Sequence, residues 1–425
     1  MARLRFVHAA DLHLDSPFKG IRDLAPQQVA ETLCRATFDA YEKIIGLCIR
    51  ERVDALLVAG DIFDSADRSL RAQLRFVDGL ARLESAGIRS FICHGNHDPL
   101  NGWEARLALP SGCHRFAGEV AGAVVFSEEP ERAVVYGISY PQREVRENLV
   151  SRFTNIQPGG FTIGLLHANV DSNPDHDSYS PCTMDDLMRP PIDYWALGHV
   201  HSRQVLRQHH PAIVYPGNPQ GRHPNETGAR GVYLVDVSDS GEIALRFEAV
   251  DIVRWELLEV DIRNLETEQE LLDAIGQKVA ACSEATEGRP VVFRLVLGGR
   301  GALHRSLVHP GAVGDILEQI NGAWAAQSPW AWCERVQLAT ALPLDREQIL
   351  LREDFVGDLS RLCGELQSDA KALSELQQTL RELYHHHNAG QYLRGYLPEN
   401  DELCALIAAA REECLTALVE EDDSL

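Results

Sequence analysis

Gly95-Asn96-His97-Asp98 closes the apolar run Phe91-Ile92-Cys93, and four other short polar clusters in the chain are placed the same way. Asp11-Leu12-His13 follows Leu4-Arg5-Phe6-Val7, and Gly60-Asp61-Ile62-Phe63-Asp64 follows Ala55-Leu56-Leu57-Val58. His167 ends Ile163-Gly164-Leu165-Leu166, and Gly198-His199-Val200-His201 follows Tyr194-Trp195-Ala196-Leu197. Short apolar runs bounded by turn residues read as buried strands. Five strand ends that each release Asp, Asn or His predict a metal site at one edge of a sheet.

Between these runs the apolar spacing turns helical. Gln27 to Arg50 carries Val29, Leu33, Phe38, Tyr41, Ile44 and Ile45, and Ser69 to Ser85 carries Leu70, Leu74, Val77, Leu80 and Leu83, with Gly87 as its stop. Strand and helix alternate, which predicts an α/β core. Val120 to Tyr140 and Ala212 to Val250 read as further short strands, the second set broken by the turn Tyr215-Pro216-Gly217-Asn218-Pro219-Gln220-Gly221-Arg222. Near Arg254 the pattern changes to β-α-β-α-β: strands at Leu257–Ile262, Pro290–Leu297 and Glu334–Ala339, helices at Glu266–Cys282 and Val313–Ala323. Beyond Pro343 it is helical. Leu359, Leu366, Leu373 and Leu380 lie seven apart, with Leu362, Leu376 and Leu383 between them and Asp369 interrupting the seam. The expected domains are a core at 1–253, a small α/β cap at 254–342 and a helical region at 343–425 offering partner-binding helices.

A chain of 425 residues exceeds one small core. Its 45% apolar and 24% charged content is that of a soluble globular protein. No apolar run approaches the roughly 20 residues that span a bilayer, and the first one runs straight into Asp11 and His13 instead of a cleavage site. A cytoplasmic location and no membrane partner are the expectations. Ten cysteines, none paired as Cys-x-x-Cys, predict scattered reduced thiols. The net charge of −23 argues against a polyanionic substrate at first sight. From Asp345 onward, however, 18 acidic residues face 7 basic ones, and part of the remaining excess is the candidate ligand set, which bound cations would neutralise. Nucleic acid is not excluded, although no cluster of Lys and Arg announces it.

Hard carboxylate and amide oxygens mixed with imidazoles suit Mn²⁺, Fe or Zn²⁺, and the absence of thiolates argues against a structural zinc. Period-two alternation would give Asp11 and His13 one facing, and likewise His199 and His201. The candidates Asp11, His13, Asp61, Asn96, His167, His199 and His201 exceed the needs of one ion, so two ions are expected, with a carboxylate such as Asp61 able to bridge them. Two ions about 3.5–4 Å apart clamp an in-line displacement at phosphorus and lower a bound water's pKa to about 7, making metal-bound hydroxide the expected nucleophile. Protonation of the leaving alkoxide remains. His97, beside Asn96 but not needed as a ligand, is the candidate general acid, and Asp64 the carboxylate that orients it.

The ordered set Asp-x-His, Gly-Asp-x-x-Asp, Gly-Asn-His-Asp, a lone His and Gly-His-x-His across residues 11–201 resembles the calcineurin-like metallophosphoesterases. Within them the chain is similar to DNA repair exonucleases of the SbcD type, and looks most like the YhaO-like branch. Ala10-Asp11-Leu12-His13-Leu14-Asp15-Ser16-Pro17-Phe18, the turn Tyr215–Arg222 and Arg352-Glu353-Asp354-Phe355-Val356-Gly357-Asp358-Leu359 carry that likeness. The resemblance implies Asp11, His13, Asp61 and His201 on one ion, Asp61, Asn96, His167 and His199 on the other, and His97 with Asp64 as the acid pair. It also implies a Mn²⁺-dependent nuclease, a cap after the core and an SbcC-like coiled-coil ATPase partner.

The expected function is thus a two-metal phosphodiesterase cutting DNA as an exonuclease or endonuclease of repair, with a homodimer as a further possibility. The alternatives are an enzyme for a small phosphate ester, and a scaffold that binds DNA ends or an ATPase without cutting. Simpler readings apply elsewhere. Asp15 is solvated or supports a ligand from behind, His94 lines the site, and the 217–222 segment is a turn whose Asn218 and Arg222 could touch phosphate. His176 and His385-His386-His387 are solvated, and the leucine heptad is an intrachain packing face or a partner groove.

Overall fold

The computed structural model of the protein describes residues 4–16, 18, 25–64, 69–103, 105, 107–126, 133–157, 160–171, 179–343, 346–384, 398 and 400–422. Pro17, His176 and the 385–387 histidines lie outside them. The chain opens with β1 (Leu4–Ala9), α1 (Gln27–Glu51), β2 (Ala55–Ala59), α2 (Leu70–Ser85), β3 (Arg89–Cys93) and β4 (Cys113–Arg115). It continues through β5 (Ala121–Phe126), β6 (Ala133–Gly137), β7 (Phe161–His167), β8 (Asn169–Val170), β9 (Pro181–Cys182), α3 (Met184–Met188) and β10 (Tyr194–Gly198). Then come β11 (Gln204–Arg207), β12 (Ala212–Tyr215), β13 (Gly231–Val237), β14 (Ile243–Ala249) and β15 (Arg254–Asp261). Next are α4 (Glu268–Ala285), β16 (Val291–Arg300), α5 (His304–Leu307), α6 (Ala312–Trp324) and β17 (Ala331–Ala341). Helices α7 (Arg346–Leu351), α8 (Phe355–Ser368), α9 (Ala370–Tyr384) and α10 (Asn400–Asp422) finish it.

The chain divides into two compact units. Met1–Leu258, Lys278–Arg294 and Glu318–Arg335 form the first, and Glu259–Gln277, Leu295–Leu317 and Val336–Leu425 the second. The first unit holds two six-stranded sheets, ordered β14-β13-β1-β2-β3-β4 and β11-β12-β10-β7-β6-β5. Their central strands β1, β2 and β3 run parallel, as do β6, β7 and β10. Such strands are apolar on both faces because both are covered. Phe6, Leu57 and Phe91 pack with Val135, Ile163 and Tyr194 in one core. Their neighbours Val7, Val58 and Ile92 pack with Tyr41, Ile44, Leu80 and Leu83 of α1 and α2. Trp195, Leu166 and Ile213 form a third layer with Leu149, Phe153 and Leu187. The layered α/β class, with sheets flanked by helices and a helical C-terminal extension, is as expected.

One polar side chain sits within the core that the two sheets share. His8 of β1 accepts from the Tyr194 hydroxyl through Nδ1 at 3.0 Å and donates through Nε2 to the Leu197 carbonyl at 3.2 Å. Both partners lie on β10. Burial pushes this imidazole down to about 3, so it is neutral in the fold.

The expected strands and helices after Arg254 are all present, with ends within three residues of those expected, and β15, β16 and β17 make a three-stranded sheet. In the helical region Asp369 breaks the leucine seam, lying between the end of α8 and the start of α9. The seam then closes on its own chain. Leu359, Leu366, Leu376 and Leu380 surround Cys363, Leu373, Leu403 and Ile407, while Leu362 is exposed. The side chain of Leu383 is not among those described.

Candidate metal centre

All five clusters lie where β1, β2, β3, β7 and β10 end. The exits of β1 and β2 run side by side: the amides of Asp11, His13 and Leu14 donate to the carbonyls of Gly60, Asp61 and Ile62 at 2.9–3.1 Å. Asp11, His13, Asp61 and His199 have φ of 52, 42, 50 and 102°. Each holds a left-handed or related backbone that L-residues adopt rarely, at about 1–3 kcal/mol apiece. Alternation along a strand therefore does not place Asp11 with His13. β1 has ended at Ala9, and the tight turn aims them instead.

The motif glycines are spacers for this convergence. A Cβ on Gly95 would lie 2.3 Å from Asp61 Oδ1 and 2.8 Å from the His167 ring, and one on Gly198 would lie 1.8 Å from the Ala59 carbonyl oxygen. Asp98 clamps the loops together, its carboxylate accepting from the amides of Gly95 (2.8 Å) and Ile62 (2.9 Å).

Among the described residues, three groups of donor atoms, each within 4.8 Å of one another, could hold metal: Asp11, His13 and His201; Asp11, Asp61 and His167; and His13, Asp64 and His97. His13 Nε2 and His201 Nε2 stand 3.2 Å apart, the spacing of two ligands on one ion with bonds of about 2.0–2.1 Å. Asp61 Oδ2 lies 3.9 Å from His13 Nε2 and 3.4 Å from His167 Nε2, so one carboxylate oxygen faces both sides. Asn96 Oδ1 is 3.0 Å from His167 Nε2. The imidazoles are pre-set as ligands from behind. His167 donates through Nδ1 to the Ala59 carbonyl at 2.9 Å, and His201 through Nδ1 to Glu226 Oε1 at 2.6 Å, which leaves each Nε2 lone pair facing inward. The His199 amide donates to both Asp11 carboxylate oxygens at 3.2 Å, and its ring stands edge-on to that of His167 at 5.2 Å, outside the three tight groups.

Charge at the centre is poised for cations. Asp11 is pushed up to about 6 by burial, with the Asp61 charge adding to it against the pull of His167 and His201. His167 is raised to about 9, because Asp61 and Asp11 outweigh the burial that would lower it. Without ions, the buried carboxylates retain protons on or between their neighbours. A bound cation takes the place of those protons, and oxygen and imidazole donors of this kind suit Mn²⁺, Fe or Zn²⁺.

Beside the centre, His97 donates through Nδ1 to Asp64 Oδ1 at 2.7 Å, and its backbone amide donates to Asp61 Oδ1 at 2.9 Å. Its ring is one-third exposed. Burial would lower its basicity, but the Asp64 hydrogen bond and the Asp61 and Asp64 charges raise it above the usual range. Asp64 is held well below the ordinary carboxylate range: the neighbouring His13 and His97 imidazoles and the Arg222 charge overcome its burial.

Other sequence expectations resolve differently. Asn218 is fully buried and spent on the Gln220 carbonyl and the Arg230 guanidinium, so it is a turn residue and not a phosphate contact. Arg222 turns toward Asp64. Asp15 accepts from Ser69 Oγ at 2.5 Å and pairs with Arg71, fixing the start of α2. His94 sits 3.1 Å from Asp98 Oδ2 and lines a small cavity with Phe63, Gln73 and Phe76, on the helix side of its sheet and away from the centre. Sequence reading missed Glu226 altogether, because it lies 25 residues beyond its partner His201 in an ordinary polar turn.

A family model of calcineurin-like phosphoesterases matches residues 4–203, and one of the metallophosphoesterase YhaO middle domain matches residues 255–341. The chain is 40% identical over 332 residues to the metallophosphoesterase YhaO of Bacillus subtilis (strain 168), with 77% of this chain and 80% of that one covered. It is 25% identical over 303 residues to the DNA double-strand break repair protein Mre11 of Methanocaldococcus jannaschii, covering 68% and 76% of the two chains. With the SbcD subunit of the SbcCD nuclease of Bacillus subtilis it shares 24% over 294 residues, covering 59% and 72%. The clustered Asp and His side chains are the two-metal site of a metal-dependent phosphoesterase. The ordered motifs, the site they build and the 40% identity to YhaO agree: the chain belongs to the calcineurin-like metallophosphoesterases, in the YhaO family.

Proposed function

We propose that the protein hydrolyses phosphodiester bonds of DNA with two divalent ions, Mn²⁺ first among them. In this reading Asp11, His13, Asp61 and His201 hold one ion and Asp61, Asn96, His167 and His199 the other. The observation that carries it is the Asp61 carboxylate oxygen facing both His13 and His167, with the partly exposed His97 ring beside it. Ions held there would activate water and neutralise charge gathering on the phosphoryl oxygens. The chain's own residues do the rest. Asp64 holds the Nδ1 proton of the doubly protonated His97 ring, whose opposite nitrogen gives its own proton to the leaving oxygen and leaves the ring neutral. The Asp64 and Asp61 charges favour the doubly protonated form of that ring, which is the form with a proton to give.

DNA as substrate is favoured by the likeness to Mre11 and to the SbcCD nuclease, whose names state repair and nuclease. The same likeness supports a coiled-coil ATPase partner of the SbcC kind, with the 343–425 helices as its seat and 254–342 as a cap, in a cytoplasmic complex. The test is Mn²⁺-dependent hydrolysis of short single- and double-stranded DNA beside bis(p-nitrophenyl) phosphate and the monoester, with His97→Ala as control. Cleavage of DNA that the variant loses is the expected result. Cleavage of the small esters alone would move the substrate to a small phosphate ester. Capture of the ATPase with no hydrolysis at all would leave a scaffold.

A further inference from the structure

Asp64 has two imidazoles in reach. Its Oδ1 takes the His97 Nδ1 proton at 2.7 Å, yet lies only 3.6 Å from His13 Nδ1, a buried nitrogen with no hydrogen bond. A carboxylate free to rotate would divide itself between them. Its other oxygen decides. Oδ2 accepts from Ser16 Oγ at 2.5 Å and from Arg222 Nη1 at 3.0 Å, and the same Nη1 donates to Ser16 Oγ at 2.7 Å. A closed triangle of Arg222, Ser16 and Oδ2 thus fixes the plane of the carboxylate. The planar, always charged guanidinium suits this task better than a mobile ammonium.

Arg222 also has a second attachment. Its backbone amide donates to Glu226 Oε2 at 2.6 Å, and Glu226 holds His201 from behind. One residue therefore steadies both supporting carboxylates, the one behind His97 through its side chain and the one behind His201 through its backbone. Only the first is open to side-chain substitution.

We propose that Arg222 is the positioning residue of the acid step, aiming Asp64 at His97 and away from His13. This rests on His97 being the general acid. An acid matters most when the leaving oxygen is an alkoxide and least when it is a nitrophenolate, so the two classes of diester separate this role from a structural one.

Arg222→Ala, Mn²⁺-loaded, is assayed on thymidylyl-thymidine and on bis(p-nitrophenyl) phosphate. The expected loss is about 100-fold on the dinucleotide and less than about 10-fold on the nitrophenyl ester, within the range of general acid catalysis. Metal content stays at the wild-type level. Adding Arg222→Ala to His97→Ala costs nothing further on the dinucleotide, as groups acting in series do, and Arg222→Lys recovers part of the loss. Equal losses on both esters, lost metal or additive losses in the double variant would overturn the proposal. Should Arg222→Ala not fold, Arg222→Gln carries the same comparison. A wild-type protein that cleaves neither ester would sink the hydrolase reading first, and this inference with it.

Discussion

Asp61 and His97 lie in one hydrogen-bonded group and do different work, which substitution separates. Asp61→Ala removes the carboxylate that faces both imidazole sides, so it is expected to lose bound Mn²⁺ in an elemental assay. His97→Ala keeps the metal while turnover of an alkoxide-leaving diester falls about 10²–10⁴-fold. Retained activity in both would void the site assignment. Glu226 is subtler. Glu226→Gln keeps the shape behind His201 but removes the charge that keeps its Nε2 lone pair facing inward, and a weakening of metal affinity by about 10–100-fold is expected. A calorimetric titration showing unchanged affinity would mean that His201 needs no such support. The contrast between these residues explains what was legible. Spacings inside a motif, such as His199-x-His201 or Asn96-His97, are short covalent distances that survive folding. Glu226 and Ser16 reach the site only through the fold, and their local sequence resembles any polar turn.

At the scale of elements, the apolar runs declared the strands because both faces of β1, β2, β3, β7 and β10 are buried, and the helical spacing declared α1 and α2 because one face of each packs on a sheet. The period-two argument for Asp11 and His13 failed where left-handed backbone took over, a feature with no signal in a non-glycine sequence. His8 was equally silent, one histidine in an apolar run, yet it hydrogen-bonds twice to β10. Its burial makes a pH prediction. In the fold its pKa is lowered to about 3, against 6.5 ordinarily. Between those values the unfolded chain binds one more proton than the native one, so this group's stabilisation is complete above pH 6.5 and drains away as pH falls, by about 1.4 kcal/mol per unit. Urea unfolding of wild type and His8→Gln from pH 4.5 to 6.5 is expected to show a slope shallower by about that amount in the variant. Parallel curves would mean that His8 is not neutral in the fold.

For the whole molecule, the net charge of −23 and the proposed substrate pull against each other. Proteins that hold DNA through Lys and Arg lose affinity with a log–log salt slope of about −0.9 per phosphate neutralised, and commonly engage 6–10 phosphates. This chain has no clustered Lys and Arg in sequence, and among its described residues many arginines are already committed, as Arg5 is to Asp236, Arg152 to Glu147 and Arg289 to Glu287. Its grip on DNA would therefore fall to the two ions and a few contacts near the scissile phosphate. Added salt would also screen the long-range repulsion between two polyanions, which partly offsets whatever local attraction it weakens. The expected slope is shallow, no steeper than about −3 between 50 and 200 mM KCl at fixed Mn²⁺, measured by fluorescence anisotropy with the metal-retaining His97→Ala protein on labelled duplex. A slope near −6 or beyond would reveal a basic surface that the charge pattern hides. Binding lost on chelation at every salt concentration would instead place the whole hold on DNA in the metal centre, and would make an ATPase partner the source of any wider footprint.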